Sequence, residues 1–368
     1  MRILYVIDSM AKDGAESQLL KTLERLNPDE YEAYVILSRT KGERFKDLTA
    51  LPCVRDVTIL KSEGKKRKIL EKAFALGGVI KAIQPDLVHS WLWYSNFLSG
   101  LSYRLGLWGR IPLIVSQRGD YHARYSKFRL WITEKFIYNA ANILLTNSKQ
   151  IQQHLQNLYP QKTIYSIPNL LELPTEEWSP NQRDSSEKRI VCVGRFSHEK
   201  GHRYLIKALY RIDCKDFSWQ CVFLGDGELQ SELTNLTDNL NLSDKITFLG
   251  FCDDVYPVLL QADLFVLPSL HEGSPNALIE AMGLGLPCIA SDVGGIKDLI
   301  DNEINGILVP PKDSDALSNA LQKLITDTDY SVDLGKNARK TIQQKFNNAE
   351  SIQKLIDIYQ TLLCKNEA

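Results

Sequence analysis

Short runs of apolar, β-branched residues alternate along the chain with amphipathic stretches of helix length, the pattern of βα units built around parallel sheets. In the first half the runs fall at 2–8, 32–38, 57–60, 86–91, 112–117, 142–148 and 163–168. The alternation then stops. Residues 172–188 (ELPTEEWSPNQRDSSEK) are polar, carry prolines at 174 and 180 and show no apolar period, so a linker is expected there. A second series of runs follows at 189–194, 219–224, 245–249, 263–268, 287–290 and 306–309. The pattern predicts an α/β protein of two doubly wound, Rossmann-like domains, 1–171 and 189–345, facing across a cleft. A final helix over about 348–364, within residues 346–368, carries Ile352, Leu355, Ile356, Ile358, Tyr359 and Leu362 and is expected to pack back toward the first domain. Ligands of such sheets bind beyond the carboxyl ends of the strands.

Composition narrows the setting. A chain of 368 residues exceeds what one hydrophobic core usually supports. Seven cysteines at 53, 192, 214, 221, 252, 288 and 364, with no Cys-x-x-Cys pair, fit neither a disulfide framework nor a zinc site and imply a reducing, cytoplasmic compartment. The chain enters an apolar strand at once (Ile3, Leu4, Val6, Ile7), so no signal peptide is expected. The longest uncharged stretch, Leu87 to Tyr103, holds His89, Ser90, Ser95, Asn96 and Ser99 and is a poor membrane span.

Charge adds more. Residues 1–172 hold 25 Lys/Arg against 16 Asp/Glu, and the remainder 19 against 29, so the halves carry +9 and −10. The basic half suits an anionic surface, whether phospholipid, lipid-linked pyrophosphate or nucleic acid; a solvated charge distribution without a partner is the alternative. Lys65, Lys66, Arg67 and Lys68 stand at a predicted helix start, where cations oppose the helix dipole, and are read as membrane-facing. Trp91, Trp93, Tyr94 and Phe97 fit an acceptor groove, an interfacial contact or plain core.

The densest chemistry lies in LHEGSPNALIEAMGLGLPCIASDVGG, residues 270–295. Ser274 can cap a helix and Pro275 suits its first turn, which aims the amides of Asn276, Ala277 and Leu278 at an anionic guest. Glu272 before that terminus and Glu280 within the helix accept hydrogen bonds from hydroxyls. Hydroxyls beside a phosphate describe a nucleotide-sugar; an ordinary capped helix with two solvated glutamates reads equally well on this segment alone. Arg195 and Lys200, at the end of run 189–194 and in the loop after it, suit a diphosphate through a guanidinium fork and a point charge. Gly14, in Lys12-Asp13-Gly14-Ala15-Glu16, would let backbone approach phosphates. Gly225-Asp226-Gly227-Glu228-Leu229-Gln230 half-matches a dinucleotide fingerprint but lacks its third glycine. Asp313-Ser314-Asp315 follows two prolines and precedes a helix, so capping is its expected job and no metal site is read.

GRFSHEKG, FLGDGEL, ITFLGFCDDV and ADLFVLPSLHEGSPNALIEAMGLGLPCIASDVGG resemble glycosyltransferase family 4, the retaining group with the GT-B fold. The likeness spans nearly the whole second half; in the first half it rests on Gly14-Ala15-Glu16, Thr146-Asn147-Ser148 and Ile167-Pro168-Asn169. Glu272 and Glu280 stand at the family's Glu-x7-Glu spacing. The resemblance implies a metal-independent, cofactor-free transferase whose donor is a nucleoside-diphosphate sugar, UDP- or GDP-linked. Arg195 and Lys200 would contact the diphosphate, Glu272 the sugar, Glu280 the ribose, backbone at Gly250 and Phe251 the base, and Gly14 the phosphates. Where many members carry a histidine after the fifth strand, this chain reads Ser116-Gln117-Arg118-Gly119-Asp120, so Arg118, with Asp120, His89 and His122, is a candidate for sugar or acceptor contacts. The expected acceptor is a glycan or lipid-linked sugar, with no nucleic-acid partner and with peripheral association at the cytoplasmic membrane face. A nucleotide-sugar epimerase on the same scaffold and a non-catalytic nucleotide-sugar-binding subunit are the alternatives.

Overall fold

The computed structural model describes residues 1–60, 68–119, 121–180, 187–212 and 217–367. Asp120 and residues 65–67 of the basic run lie outside them, and Lys68 opens the helix Lys68–Ile83. The chain divides into two compact units, Met1–Leu170 with Asn348–Ala368, and Leu171–Asn347.

The first unit is built on seven strands: β1 (Arg2–Ile7), β2 (Glu32–Leu37), β3 (Val54–Ile59), β4 (Leu87–Trp91), β5 (Leu113–Gln117), β6 (Ile143–Thr146) and β7 (Thr163–Ser166). All pairings are parallel, in the order β3-β2-β1-β4-β5-β6-β7. Helices cover both faces, which is why β4 and β5 are buried along their whole lengths. One face packs Leu19, Leu23, Tyr359 and Leu362 against Ile3, Tyr5 and Ile7, so the C-terminal helix Asn348–Glu367 is part of this unit's core. The other face packs Leu76, Leu98 and Ile137 against Leu4, Val6 and Val115.

The second unit holds β8 (Glu187–Val193), β9 (Ser218–Leu224), β10 (Ile246–Gly250), β11 (Leu264–Leu267), β12 (Cys288–Ser291) and β13 (Ile307–Val309), again all parallel, in the order β10-β9-β8-β11-β12-β13. Chain order reverses between β8 and β11. The carboxyl ends of those neighbouring strands form the switch point at which doubly wound sheets hold ligands. Capping follows the residues that signal it: the Asp313 carboxylate accepts from the Asp315 and Ala316 amides and starts the helix Ser314–Thr326.

Candidate active site

Two loops leave the switch point of the second unit. The one after β8 runs Gly194–Gly201 and ends in a short 3-10 turn, His198–Lys200; the one after β11 carries Ser269 and Glu272 toward the helix Asn276–Leu284. Because β8 and β11 are hydrogen-bonded neighbours, residues 72 positions apart meet. Lys200 Nζ donates to Glu272 Oε1 at 2.7 Å, and Ser269 Oγ donates to the same oxygen at 2.7 Å. Glu272 is 9% exposed, so this carboxylate is held in a largely desolvated setting.

Glycines allow the close fit. Gly294, at φ +46, is so near that a Cβ there would stand 2.0 Å from the Glu272 carbonyl oxygen; a Cβ on Gly201, at φ +67, would stand 2.1 Å from the Pro268 carbonyl oxygen. The GDGEL segment braces the other side of the loop: Phe196 N donates to Asp226 O at 2.6 Å, and Leu229 N to Phe196 O at 3.0 Å. Its glycines serve this packing.

The helix that ends the site starts one residue later than the sequence suggests. Pro275, not Ser274, occupies the N-cap position, and the proline's fixed φ sets the turn. The first helical hydrogen bond runs from Ile279 N to Pro275 O at 3.1 Å, which leaves the Ala277 and Leu278 amides without acceptors inside the helix. Asn276 is its first residue and Glu280 its fifth; Glu280 is half-buried. Arg195 is exposed in the β8 loop, and Gly250, at φ +77, ends β10 with open space where a side chain would stand, next to a 41% exposed Phe251.

One neighbour was not singled out by its sequence. His202 is buried against Phe196 and Phe223, and burial, assisted by the charge of Lys200, pushes its pKa down to about 3. Its ring is a neutral wall beside Lys200. A histidine directly after a loop glycine is the only local sign of it.

The residues of the first unit are placed differently. Gly14 opens the helix Gly14–Glu24 after β1. His89, on β4, is 1% exposed; its Nδ1 lies 2.7 Å from Tyr359 Oη and its Nε2 2.8 Å from Ser116 Oγ. With both nitrogens engaged and burial holding its pKa well below the usual value, it ties the C-terminal helix to the sheet and is not a sugar contact. Arg118 is likewise engaged within its own unit. Its guanidinium lies 3.9 Å from the centroid of the buried Trp91 ring and donates to Asn169 Oδ1 at 3.1 Å, and burial lowers its pKa to about 9. It borders a ≈ 20 Å³ cavity that it shares with Gln18, His89 and Leu355, room for a water and not for a sugar. His122 sits among the rings of Tyr138, His154 and Tyr159. Trp91 is core, and Trp93 stacks on Phe97.

Two family models cover most of the sequence: "Glycosyltransferase Family 4" over residues 12–173 and "Glycosyl transferases group 1" over 175–341. The chain belongs to glycosyltransferase family 4. This family-4 enzyme is 29% identical over 317 residues to an Escherichia coli UDP-Gal:alpha-D-GlcNAc-diphosphoundecaprenol alpha-1,3-galactosyltransferase, covering 79% of each chain. It is 27% identical over 351 residues to a Campylobacter jejuni GalNAc-alpha-(1->4)-GalNAc-alpha-(1->3)-diNAcBac-PP-undecaprenol alpha-1,4-N-acetyl-D-galactosaminyltransferase, covering 92% of this chain and 93% of the other. Among solved structures, Anabaena Alr3699/HepE in complex with UDP and glucose superposes with a TM-score of 0.84 at 21% identity, over 98% of this chain and all of that one. The fold is therefore GT-B. Among the described residues no helix is long and apolar enough to cross a membrane, and no three His, Cys, Asp or Glu are grouped to hold a metal ion.

Proposed function

We propose that this glycosyltransferase takes a nucleoside-diphosphate sugar, UDP- or GDP-linked, and passes the sugar with retention to a glycan or lipid-linked acceptor in cell-surface polysaccharide or glycolipid synthesis. The observation that carries the reading is the Lys200–Glu272 contact at the switch point, beside the start of the helix Asn276–Leu284. A guest with an anionic end and a hydroxyl-rich end matches both partners. Its diphosphate takes Lys200, Arg195 and the amides of the helix terminus. Its hydroxyls donate to Glu272 and Glu280 in the sugar and ribose roles, with the base at Gly250 and Phe251.

On this reading the bond from the anomeric carbon to the diphosphate oxygen breaks first, and the electron pair leaves with the nucleoside diphosphate. Fixed positive charge stabilises that departure and the oxocarbenium-like state it leaves. The acceptor oxygen then bonds to the anomeric carbon on the face the diphosphate left while its hydroxyl proton passes to an oxygen of the departing diphosphate, which retains configuration. Arg195 and Lys200 supply the charge that a divalent cation supplies at other phosphate sites, so the reaction needs no metal. The UDP in the Anabaena structure and the undecaprenyl-linked substrates named for two relatives support a UDP-sugar and a lipid-linked acceptor. The +9 charge of residues 1–172 suits work at the anionic cytoplasmic face of a membrane.

The test is a panel of UDP- and GDP-sugars scored by protection against thermal unfolding, followed by transfer in the presence of EDTA with the product's anomeric configuration read by NMR. Protection by no nucleotide-sugar rejects the donor assignment. Activity lost to EDTA and restored by manganese or magnesium rejects metal independence, and an inverted product rejects retention.

A further inference from the structure

The strongest feature outside the transfer site is a surface helix of the first unit, Lys127–Ile132, none of whose residues is buried. It displays two large rings, Phe128 at 70% and Trp131 at 51% exposure, stacked on each other with centroids 6.1 Å apart. Lys127, Phe128 and Trp131 share one side of the helix, and Lys135, one turn on, brings its Nζ to 4.8 Å from the Trp131 ring. Glu134 is the sole acid between residues 121 and 139.

The inward side of this segment is fixed, so the outward side is presented on a firm support. The Arg129 guanidinium lies 4.1 Å from the Trp93 ring centroid and 3.9 Å from that of Tyr125, and Trp93 Nε1 donates to Thr133 Oγ1 at 2.8 Å. The helix runs on as a π-helix, Thr133–Tyr138, whose Phe136 ring meets Phe97 edge-on. A Cβ at Gly100 would stand 1.6 Å from the Phe136 carbonyl oxygen, so this π-helix lies directly against the helix Trp93–Arg104. Exposed, stacked aromatics are costly in water and normally mark a contact surface. Flanking cations with almost no acid select an anionic partner, and an indole ring prefers the headgroup level of a bilayer.

We propose that Phe128 and Trp131, flanked by Lys127 and Lys135, are the element by which the first unit docks on an anionic lipid bilayer. The proposal rests on the reading of the acceptor as lipid-linked and names the surface that reaches it. The rings enter the headgroup layer while the two ammonium groups pair with lipid phosphates.

Sedimentation with vesicles of phosphatidylglycerol and phosphatidylcholine, against phosphatidylcholine alone, tests it. Wild type should pellet with the anionic vesicles at low salt and be released at high salt. Lys127→Glu with Lys135→Glu should lower the partition coefficient about tenfold or more, and Phe128→Ser with Trp131→Ser should abolish pelleting. Trp131 is also the only exposed tryptophan of the six, so brominated-chain phosphatidylglycerol should quench part of the emission in wild type and not in Trp131→Phe. Equal pelleting of wild type and the Ser pair, equal quenching in Trp131→Phe, or equal binding to neutral vesicles overturns the proposal. A concentration-dependent dimer that the Ser pair dissolves also overturns it, since the rings would then face a second copy. The variants should keep the wild-type thermal shift with the preferred nucleotide-sugar. Absence of any such shift in wild type counts against the transferase reading alone, and vesicle binding is scored separately.

Discussion

Lys200 and Glu272 form a 2.7 Å ion pair between two loops that leave neighbouring strands, and Ser269 donates to the same carboxylate oxygen. On the proposed reading, a donor diphosphate and a sugar hydroxyl compete for the groups of this pair. Lys200→Ala and Arg195→Ala should each lower turnover at saturating donor by about 10²–10³, because the charge they meet grows as the bond breaks. Glu272→Gln should weaken donor binding, and its effect should be non-additive with Lys200→Ala, since each mutation removes a partner of the other. Initial rates on the four proteins of the cycle check this. Either cation mutant retaining turnover within a factor of two of wild type rejects the assignment.

Gly294 carries a second prediction. A methyl group there meets the Glu272 carbonyl oxygen at 2.0 Å, and backbone cannot yield as a flexible side chain does. Gly294→Ala should displace the Glu272 loop and lower activity at least about tenfold. Gly106→Ala is the control, with a similar left-handed φ of +71 but nothing within 4 Å of the new methyl. Equal activity of the two variants would show that only backbone strain is at stake.

The strands were legible because parallel sheets covered on both faces produce apolar runs: β11 reads Leu264-Phe265-Val266-Leu267 and is buried at every position. The nearness of Lys200 and Glu272 was also foreseeable, since both follow strands at the mouth of one sheet. The inward turn of Arg118 and the His89–Tyr359 contact were not, because the latter joins residues 270 positions apart and no local period encodes it. The display of Phe128 and Trp131 was not legible either, because a helix of six residues is too short for an apolar period to assign its faces.

Tyr359 tests how the C-terminal helix is held. Its hydroxyl lies 2.7 Å from His89 Nδ1 and 3.3 Å from Tyr5 Oη, all three groups buried. Tyr359→Phe keeps the ring and strips the partner from a buried imidazole nitrogen, which should cost about 1–3 kcal/mol. Urea unfolding of the two proteins at pH 7.5 measures it, and a difference below about 0.5 kcal/mol, outside that range, would mean that water replaces the hydroxyl.

Acid should destabilise the protein through its buried histidines. Burial lowers His202 to about 3 and holds His89 well below its usual value, so both bind protons more tightly in the unfolded chain than in the folded one. The stability they contribute is complete above the unfolded pKa, near 6.5, and is lost as pH falls from there toward the folded values. Between pH 6.5 and 5 each neutral ring should cost up to about 2 kcal/mol of stability. His202→Gln removes one of the two titrating groups, so the mutant should lose less stability than wild type between pH 7 and pH 5, whatever its starting stability. Urea unfolding at half-unit pH steps gives both slopes. Parallel slopes would mean that His202 is already protonated in the folded protein at pH 5, with its ring open to water and no longer a neutral wall beside Lys200.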